Sequence, residues 1–173
     1  MATRLIAAIA PLVLLGAAGT PAMHLHSPAF EHTTRMPAQY TCDGKDVSPP
    51  LEWGPLPPGT KSIAVIAQDP TVEGENFVHW VLYDLPPSTR SLPAGVPRTE
   101  ALRSGARQGR NDYGTIGYRG PCPSPGKGHE YWFRVYALDA RLHLPRRPNG
   151  RDLMRALPDH TLRVAETMGS YSR

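Results

Sequence analysis

The sequence lacks the features that mark several classes of protein. It has two cysteines among 173 residues and no Cys-x-x-Cys pair, which excludes a structural zinc cluster. No apolar stretch reaches the ~20 residues that a membrane-spanning helix needs, and the chain has no internal repeat or low-complexity linker. Charged residues make up 20% and aromatic residues 8%, a composition too apolar for a disordered chain. One globular domain that does not span a membrane is the class that remains.

Proline and glycine are abundant, with 20 and 16 copies. Proline fixes φ and lacks an N–H donor, and glycine supplies turns, so this composition predicts a mainly β domain with long ordered loops. Three apolar segments rich in β-branched or aromatic residues are predicted strands: Ser62–Asp69, Phe77–Leu85 and Tyr131–Leu138. Strict alternation in the second strand places two sets of side chains on opposite faces: His79, Val81 and Tyr83, against Trp80 and Leu82.

The apolar period changes near the C-terminus. Asn149 is a predicted N-cap of a helix whose apolar residues are Leu153, Met154 and Leu157. A second amphipathic turn is predicted through Leu162, Ala165 and Met168. The expected order is therefore strands first and short helices last, around one core.

The N-terminus resembles a secretory signal. Arg4 precedes a short apolar run over 5–15, and small residues follow at 16–19. We expect a signal peptide over 1–22, a domain over 23–173 and a periplasmic or secreted protein. A buried N-terminal helix is the alternative, which Pro11 disfavours.

Export affects the interpretation of Cys42 and Cys122. In an oxidising compartment we expect them to form one disulfide, and two free thiols are the alternative. The net charge of +4 is a mild basic excess. A loose arginine cluster is interpreted as a solvated loop rather than a nucleic-acid site, because no aromatic residues are interleaved with it: Arg98, Arg103, Arg107 and Arg110.

Three polar residues stand at the ends of the predicted strands. Asp69 ends the first strand, His79 lies near the start of the second, and His129 precedes the third. If these strands are neighbours, a carboxylate and two imidazoles meet at one end of a sheet and can bind an anion when a histidine is protonated. Trp80, Tyr113 and Tyr118 would supply apolar walls. The alternative is that each histidine is an ordinary core residue.

Four blocks of sequence resemble the bacterial branch of the phosphatidylethanolamine-binding proteins, also called Raf kinase inhibitor-like proteins. They are residues 40–53 (YTCDGKDVSPPLEW), Asp69-Pro70 with His79-Trp80, residues 117–123 (GYRGPCP) with 128–131 (GHEY), and the ending 165–173 (AETMGSYSR). The resemblance implies a large antiparallel sheet packed with a smaller one, and short helices near the C-terminus. It also implies a pocket for phosphate, carboxylate or a phospholipid head group.

Carried over by motif, the ligand-binding residues are Asp69, His79, Pro121, His129 and Tyr131. Trp80, Tyr118 and Tyr171 are neighbours of that pocket by the same resemblance, and Asp46 and Ser48 hold its loop. One position departs from the family. The usual second acidic residue of an Asp-Pro-Asp-Ala-Pro run is Thr71 here, so we expect the phosphate half of a ligand to matter more than its amine half, unless Glu73 or Glu75 folds back.

The sequence thus predicts a non-enzymatic binding or regulatory protein without a cofactor, whose partner is a small anion, a phospholipid head group or a protease to be inhibited. A kinase is implausible outside the cytoplasm, and a homodimer stays open. A serine hydrolase is one alternative, although a Gly-x-Ser-x-Gly elbow is absent. A metal-dependent enzyme using Asp69, His79 and His129 is the other.

Overall fold

The computed structural model describes residues 22–72 and 76–173. Residues 1–21 of the predicted signal peptide and residues 73–75, with Glu73 and Glu75, lie outside the described residues. The strands are β1 (Leu25–His26), β2 (Leu51–Trp53), β3 (Ser62–Asp69), β4 (Phe77–Leu85), β5 (Ser91–Leu92), β6 (Arg107–Gln108), β7 (Gly128–Leu138) and β8 (Thr161–Ser172). A short 3-10 helix spans Ala38–Tyr40, and α1 spans Gly150–Ala156.

The strands form two antiparallel sheets, as the sequence predicts. The larger has the order β6-β4-β3-β7-β8 and the smaller has the order β1-β2-β5. The central strand β3 pairs with β4 on one side and β7 on the other, and all of its residues are buried. This burial accounts for its continuous apolar sequence, because a strand covered on both faces has no polar side.

Two apolar clusters cover the two faces of the large sheet. One joins it to the small sheet, where Leu51 and Trp53 of β2 pack in the same cluster as Val65 and Phe133. The other packs Ile66 and Val81 of the opposite face against Leu153 of α1. Helix α1 begins at the predicted cap, since the Asn149 side chain accepts a hydrogen bond from the Asp152 N–H in a full capping box.

The second predicted helical turn is wrong. Leu162, Ala165 and Met168 belong to β8, which pairs with β7 over nearly its whole length, from Thr161 opposite Leu138 to Ser172 opposite Gly128. Long-range pairing with an available strand overrides the local period, because strand formation depends on neighbours that a sequence window does not contain. The chain therefore ends in a strand rather than in helices.

The predicted alternation of side chains between the two faces of β4 is also wrong at His79, because a bulge interrupts the strand there. Trp80 pairs with Ala67 of β3 and Val78 pairs with Gln68, so His79 is an extra residue between two paired ones. As a result Val78 packs in the same cluster as Val81 and Tyr83, and the side chain of His79 leaves the face that alternation predicted. Bulges of this kind redirect side chains next to functional sites.

Candidate functional site

A cavity of about 240 Å³ lies at the end of the large sheet where β3 stops and β4 and β7 begin. Its walls come from three strands, the loop between β3 and β4 and the loop before β7: Asp69, Val72, Phe77, His79, Tyr113, Cys122, Pro123, His129 and Tyr131. The structure thus brings together four of the five predicted ligand-binding residues from separate parts of the chain, since Asp69, His79, His129 and Tyr131 all line it.

Pro121 and the three predicted pocket neighbours do not line this cavity. Pro121 is buried and its carbonyl accepts a hydrogen bond from the Cys42 N–H, so the proline in the wall is Pro123. Trp80 is a core residue whose indole N–H donates to Gln108. The hydroxyl of Tyr118 donates to the Tyr40 carbonyl, and that of Tyr171 donates to Asp43.

Asp69 and His129 form a buried pair. Nδ1 of His129 lies 2.7 Å from Oδ2 of Asp69, and the two side chains are 19% and 3% exposed, in the order His129 and Asp69. The other carboxylate oxygen, Oδ1, accepts hydrogen bonds from the backbone N–H and the hydroxyl of Thr71. Both oxygens of Asp69 are therefore engaged, and its contact with Nδ1 orients the imidazole so that Nε2 is left for a ligand.

Thr71 is the position where the sequence departs from the family that it resembles. Its hydroxyl points back to Asp69 rather than adding a charge to the pocket. The Thr71 side chain thus binds the Asp69 carboxylate instead of supplying a second one.

His79 is held by Arg119 through two hydrogen bonds. Its Nδ1 lies 2.7 Å from the Arg119 carbonyl oxygen, and the Arg119 N–H donates to the His79 carbonyl at 2.9 Å. The ring is buried, with edge-on contacts to Phe77, Tyr113 and Tyr131 at centroid distances of 5.2, 5.7 and 5.2 Å. Burial lowers the pKa of His79 below 6.5, against smaller opposing effects of that hydrogen bond and the nearby carboxylates.

The segment behind His79 is fastened to the opening motif. The carboxylate of Asp46 accepts from the Gly120 N–H and forms ion pairs with Arg98 and Arg119, at 2.9 and 3.2 Å. Glycine is required at position 120, because the backbone there lies so close to Tyr40 that a Cβ would be 2.3 Å from the Tyr40 carbonyl oxygen. Asp46 therefore fixes the pocket's supporting loop without lining the cavity.

The structure contains the disulfide between Cys42 and Cys122, with a Cα–Cα distance of 5.3 Å. Cys122 is itself part of the cavity wall, so this bond ties the wall to the opening motif. Ser48 was predicted to hold the pocket loop together with Asp46. In the structure the Ser48 hydroxyl oxygen accepts a hydrogen bond from the Val96 N–H.

Larger clefts exist elsewhere on the molecule. One of about 490 Å³ lies beside α1, and one of about 550 Å³ lies beside β5 with mainly apolar walls. The small cavity differs from them in chemistry as well as in size, since it gathers two imidazoles, a buried carboxylate and two phenols in one place. Clustered titratable groups in a cavity are the physical signature of a functional site.

The sequence did not identify Phe77, Val72 and Pro123 as wall residues. Phe77 stands two positions before His79 on the same strand, which was the available signal for a shared side of the sheet. Tyr113 was predicted as an apolar wall and does line the cavity, with the Arg119 guanidinium 5.2 Å above its ring.

The two enzymatic alternatives, a serine hydrolase and a metal-dependent enzyme, stay predictions. The cavity walls within the described ranges include no serine. No group of three or more His, Cys, Asp or Glu side chains in residues 22–72 and 76–173 is arranged to hold a metal ion. Over the same residues, no helix has the length and apolar character needed to cross a bilayer.

Comparisons with known proteins agree with these motifs. A family model described as phosphatidylethanolamine-binding protein matches residues 26–172. A UPF0098 protein of Methanothermobacter thermautotrophicus is 43% identical over 151 residues, covering 87% of this chain and 99% of the relative. A UPF0098 protein of Aquifex aeolicus is 41% identical over 161 residues, covering 92% and 94%.

Two solved structures are similar in fold and sequence. The Escherichia coli protein YbcL, described as a new member of the mammalian family of these proteins, aligns with a TM-score of 0.82 and 30% identity, over 88% of this chain and 99% of that one. A putative phosphatidylethanolamine-binding protein homologue from Chlamydia trachomatis aligns with a TM-score of 0.76 and 35% identity, over 89% and 99%.

Proposed function

This chain belongs to the phosphatidylethanolamine-binding protein family, and we propose that it is an exported binding protein whose small pocket holds an anion. The anion is phosphate, a carboxylate or the head group of a phospholipid. The protein acts by binding rather than by catalysis. Protease inhibition, as a consequence of such binding, stays a prediction from the sequence.

One observation carries the proposal: two imidazoles, two phenols and a buried carboxylate surround one small cavity. The Tyr131 hydroxyl keeps its proton because burial raises its pKa well above the usual value, so it is a hydrogen-bond donor for an anionic oxygen. His129 adds a second donor whenever its Nε2 carries a hydrogen. A volume of about 240 Å³ equals the share of roughly eight liquid waters. That space suits a phosphate or carboxylate group, and the remainder of a larger ligand would stay outside.

The amine half of a phosphoethanolamine ligand has little to bind in this pocket. Asp69 is the carboxylate in the wall, and hydrogen bonds from Thr71 and His129 already occupy both of its oxygens. An ammonium group would have to displace one of these partners. We therefore propose that the phosphate group supplies the affinity.

Export is supported by the signal-like N-terminal sequence and by the disulfide. A bond between Cys42 and Cys122 is stable in an oxidising compartment and is rare in the cytosol. The same bond holds the cavity wall, so it supports both the proposed compartment and the proposed site.

Isothermal titration of the purified protein with phosphate, phosphoethanolamine and ethanolamine tests the proposal. We expect the first two to bind and ethanolamine not to bind. The variant His129→Ala should lose affinity by about tenfold or more, because a hydrogen bond to a charged group is removed. His143→Ala is the matched control, since this exposed histidine follows the far end of the strand that carries His129. Ethanolamine binding as tightly as phosphate, or equal loss in both variants, would refute the proposal.

A further inference from the structure

The hydrogen-bonding capacity of His79 is set by its contact with Arg119. A backbone carbonyl oxygen can only accept, so the 2.7 Å contact between it and Nδ1 means that Nδ1 carries a hydrogen. This holds for the neutral ring and for the imidazolium alike. Only the state of Nε2 distinguishes the two: it is an acceptor in the neutral ring and a donor in the charged one.

Nε2 of His79 opens into the cavity. In the part of the chain that the structure describes, no protein group forms a hydrogen bond with Nε2 of His79. Every fully buried side-chain nitrogen or oxygen among those residues has a hydrogen-bond partner, so Nε2 is not fully buried. The cavity is the space that His79 lines. A ligand in the cavity therefore meets Nε2 directly.

The surroundings keep this ring neutral. Burial lowers the pKa of His79 below 6.5, and the opposing carboxylates Asp69, Asp112 and Asp46 have smaller effects. The other rings against it are Phe77, Tyr113 and Tyr131, of which the two phenols are uncharged because burial raises the pKa of each. His129 is the remaining titratable wall residue, and its Nδ1 is paired with Asp69. Near neutral pH, Nε2 is thus an acceptor that needs a hydrogen from the ligand.

The buried charge of Asp69 adds a second requirement. Its side chain is 3% exposed and lies in the cavity wall, so a doubly charged anion meets a like charge at close range. A singly charged anion meets half of that repulsion. The ligand that satisfies both requirements carries one negative charge and one acidic hydrogen.

We propose that the pocket selects acids in their singly protonated, monoanionic form, above all phosphate monoesters, by accepting the P–O–H hydrogen at Nε2 of His79. The Tyr131 hydroxyl donates to the charged oxygen of the same group. A sulfate monoester has the same shape and charge but no O–H, so it would place an oxygen lone pair against Nε2. This inference rests on the proposed anion-binding function and narrows its ligands to anions that keep an acidic hydrogen, which disfavours ionised carboxylates and phosphodiester head groups.

The test is a matched pair of ligands, O-phosphoethanolamine and ethanolamine O-sulfate, titrated calorimetrically into the wild-type protein at pH 6.5. At this pH more than half of the His79 rings are neutral, because burial lowers the pKa of His79 below 6.5. Because the second pKa of a phosphate monoester is about 6, roughly a quarter of the phosphate ligand is then a protonated monoanion, and the sulfate ligand is a monoanion without the hydrogen. We expect the monoanionic phosphate ligand to bind at least about tenfold more tightly, because the sulfate leaves a buried acceptor unsatisfied. At pH 8 the phosphate affinity should be lower than at pH 6.5 by up to about twenty-five-fold, since roughly 1% of the ligand keeps its proton.

The outcomes separate this inference from the function on which it rests. Equal affinity for the two ligands at pH 6.5 would refute the selectivity, and anion binding would stand. If neither ligand binds, the proposed function fails as well.

Two further measurements address His79 itself. The variant His79→Gln places an amide near the Nε2 position, which can donate to either ligand, so the ratio of the two affinities should approach one; His143→Gln should leave it unchanged. If His79→Gln does not fold, as judged by circular dichroism, nitrogen-15 NMR of the wild-type histidines decides. A neutral ring with hydrogen on Nδ1 in the phosphate complex supports the proposal, and an imidazolium overturns it.

Discussion

Replacing Asp69 with asparagine tests the buried pair at the centre of the site. The carboxylate accepts three hydrogen bonds: two from Thr71, and one from Nδ1 of His129 at 2.7 Å. The amide introduced by Asp69→Asn would keep one oxygen for Thr71 but would present an NH₂ group to Nδ1. The imidazole of His129 must then move its hydrogen from Nδ1 to Nε2, since two donors cannot face each other.

The expected cost in stability follows from the loss of charge. A hydrogen bond to a charged group contributes about 1.5–3 kcal/mol and a neutral one about 0.5–1.5 kcal/mol. Asp69→Asn weakens this set of bonds without emptying the site, so we expect the free energy of unfolding to fall by about 2 kcal/mol. For a domain of this size, that corresponds to a melting temperature lower by roughly 4–8 °C.

A second histidine–aspartate pair in the same protein is the control. Nδ1 of His160 lies 3.0 Å from Oδ1 of Asp139, but these side chains are 40% and 49% exposed. Water screens an exposed pair, so Asp139→Asn should cost about 0–1 kcal/mol. Urea denaturation of both variants at pH 7.5 measures the difference. Equal losses for the two variants would refute the argument that burial makes the Asp69 pair important.

Three other predictions concern stability. The folded-state pKa of His79 lies below 6.5, so the unfolded chain binds a proton that the folded chain does not, and the free energy of unfolding should fall as the pH drops below about 6.5. Urea titrations between pH 7.5 and 5 should show a smaller fall in this free energy for His79→Gln than for the wild type. An equal fall in the two proteins would contradict His79 as the cause. Replacing Cys42 and Cys122 with serine should cost about 4 kcal/mol in the chain-entropy model and weaken phosphate binding; an unchanged melting temperature and affinity would contradict the structural role of the bond. Gly120→Ala should cost roughly 1–3 kcal/mol by overpacking, whereas Gly128→Ala, whose nearest contact would be 3.8 Å away, should cost less in the same denaturation assay; similar losses would contradict the close approach at Gly120.

Local features that depend on a few neighbouring residues were predictable. The bounds of β3 and β4 agree with the apolar segments, because strands buried on both faces require long apolar runs. The cap at Asn149 was predictable because a capping box is a contact among four consecutive residues. The disulfide was predictable because the chain has two cysteines and the export predicted from the N-terminal sequence would favour their oxidation.

Features that depend on partners distant in sequence could not be predicted. Residues 161–172 have an amphipathic pattern that fits a helical turn, yet β7 provides a strand edge along which they pair. The extra residue at His79 is visible only once Trp80 and Val78 are paired with β3. Pro121 and Pro123 are two residues apart in a proline-rich loop, and sequence cannot decide which of them faces the cavity.

The sequence by itself determined the family, the mainly β composition and the identity of the polar residues at the strand ends, because these are properties of residue type and order. Only the tertiary structure decided that Asp69 uses both oxygens on Thr71 and His129, and that Arg119 leaves Nε2 of His79 open to a ligand. The physical reason is that a hydrogen bond depends on the distance and direction between two atoms. The packing of β3, β4 and β7 sets both.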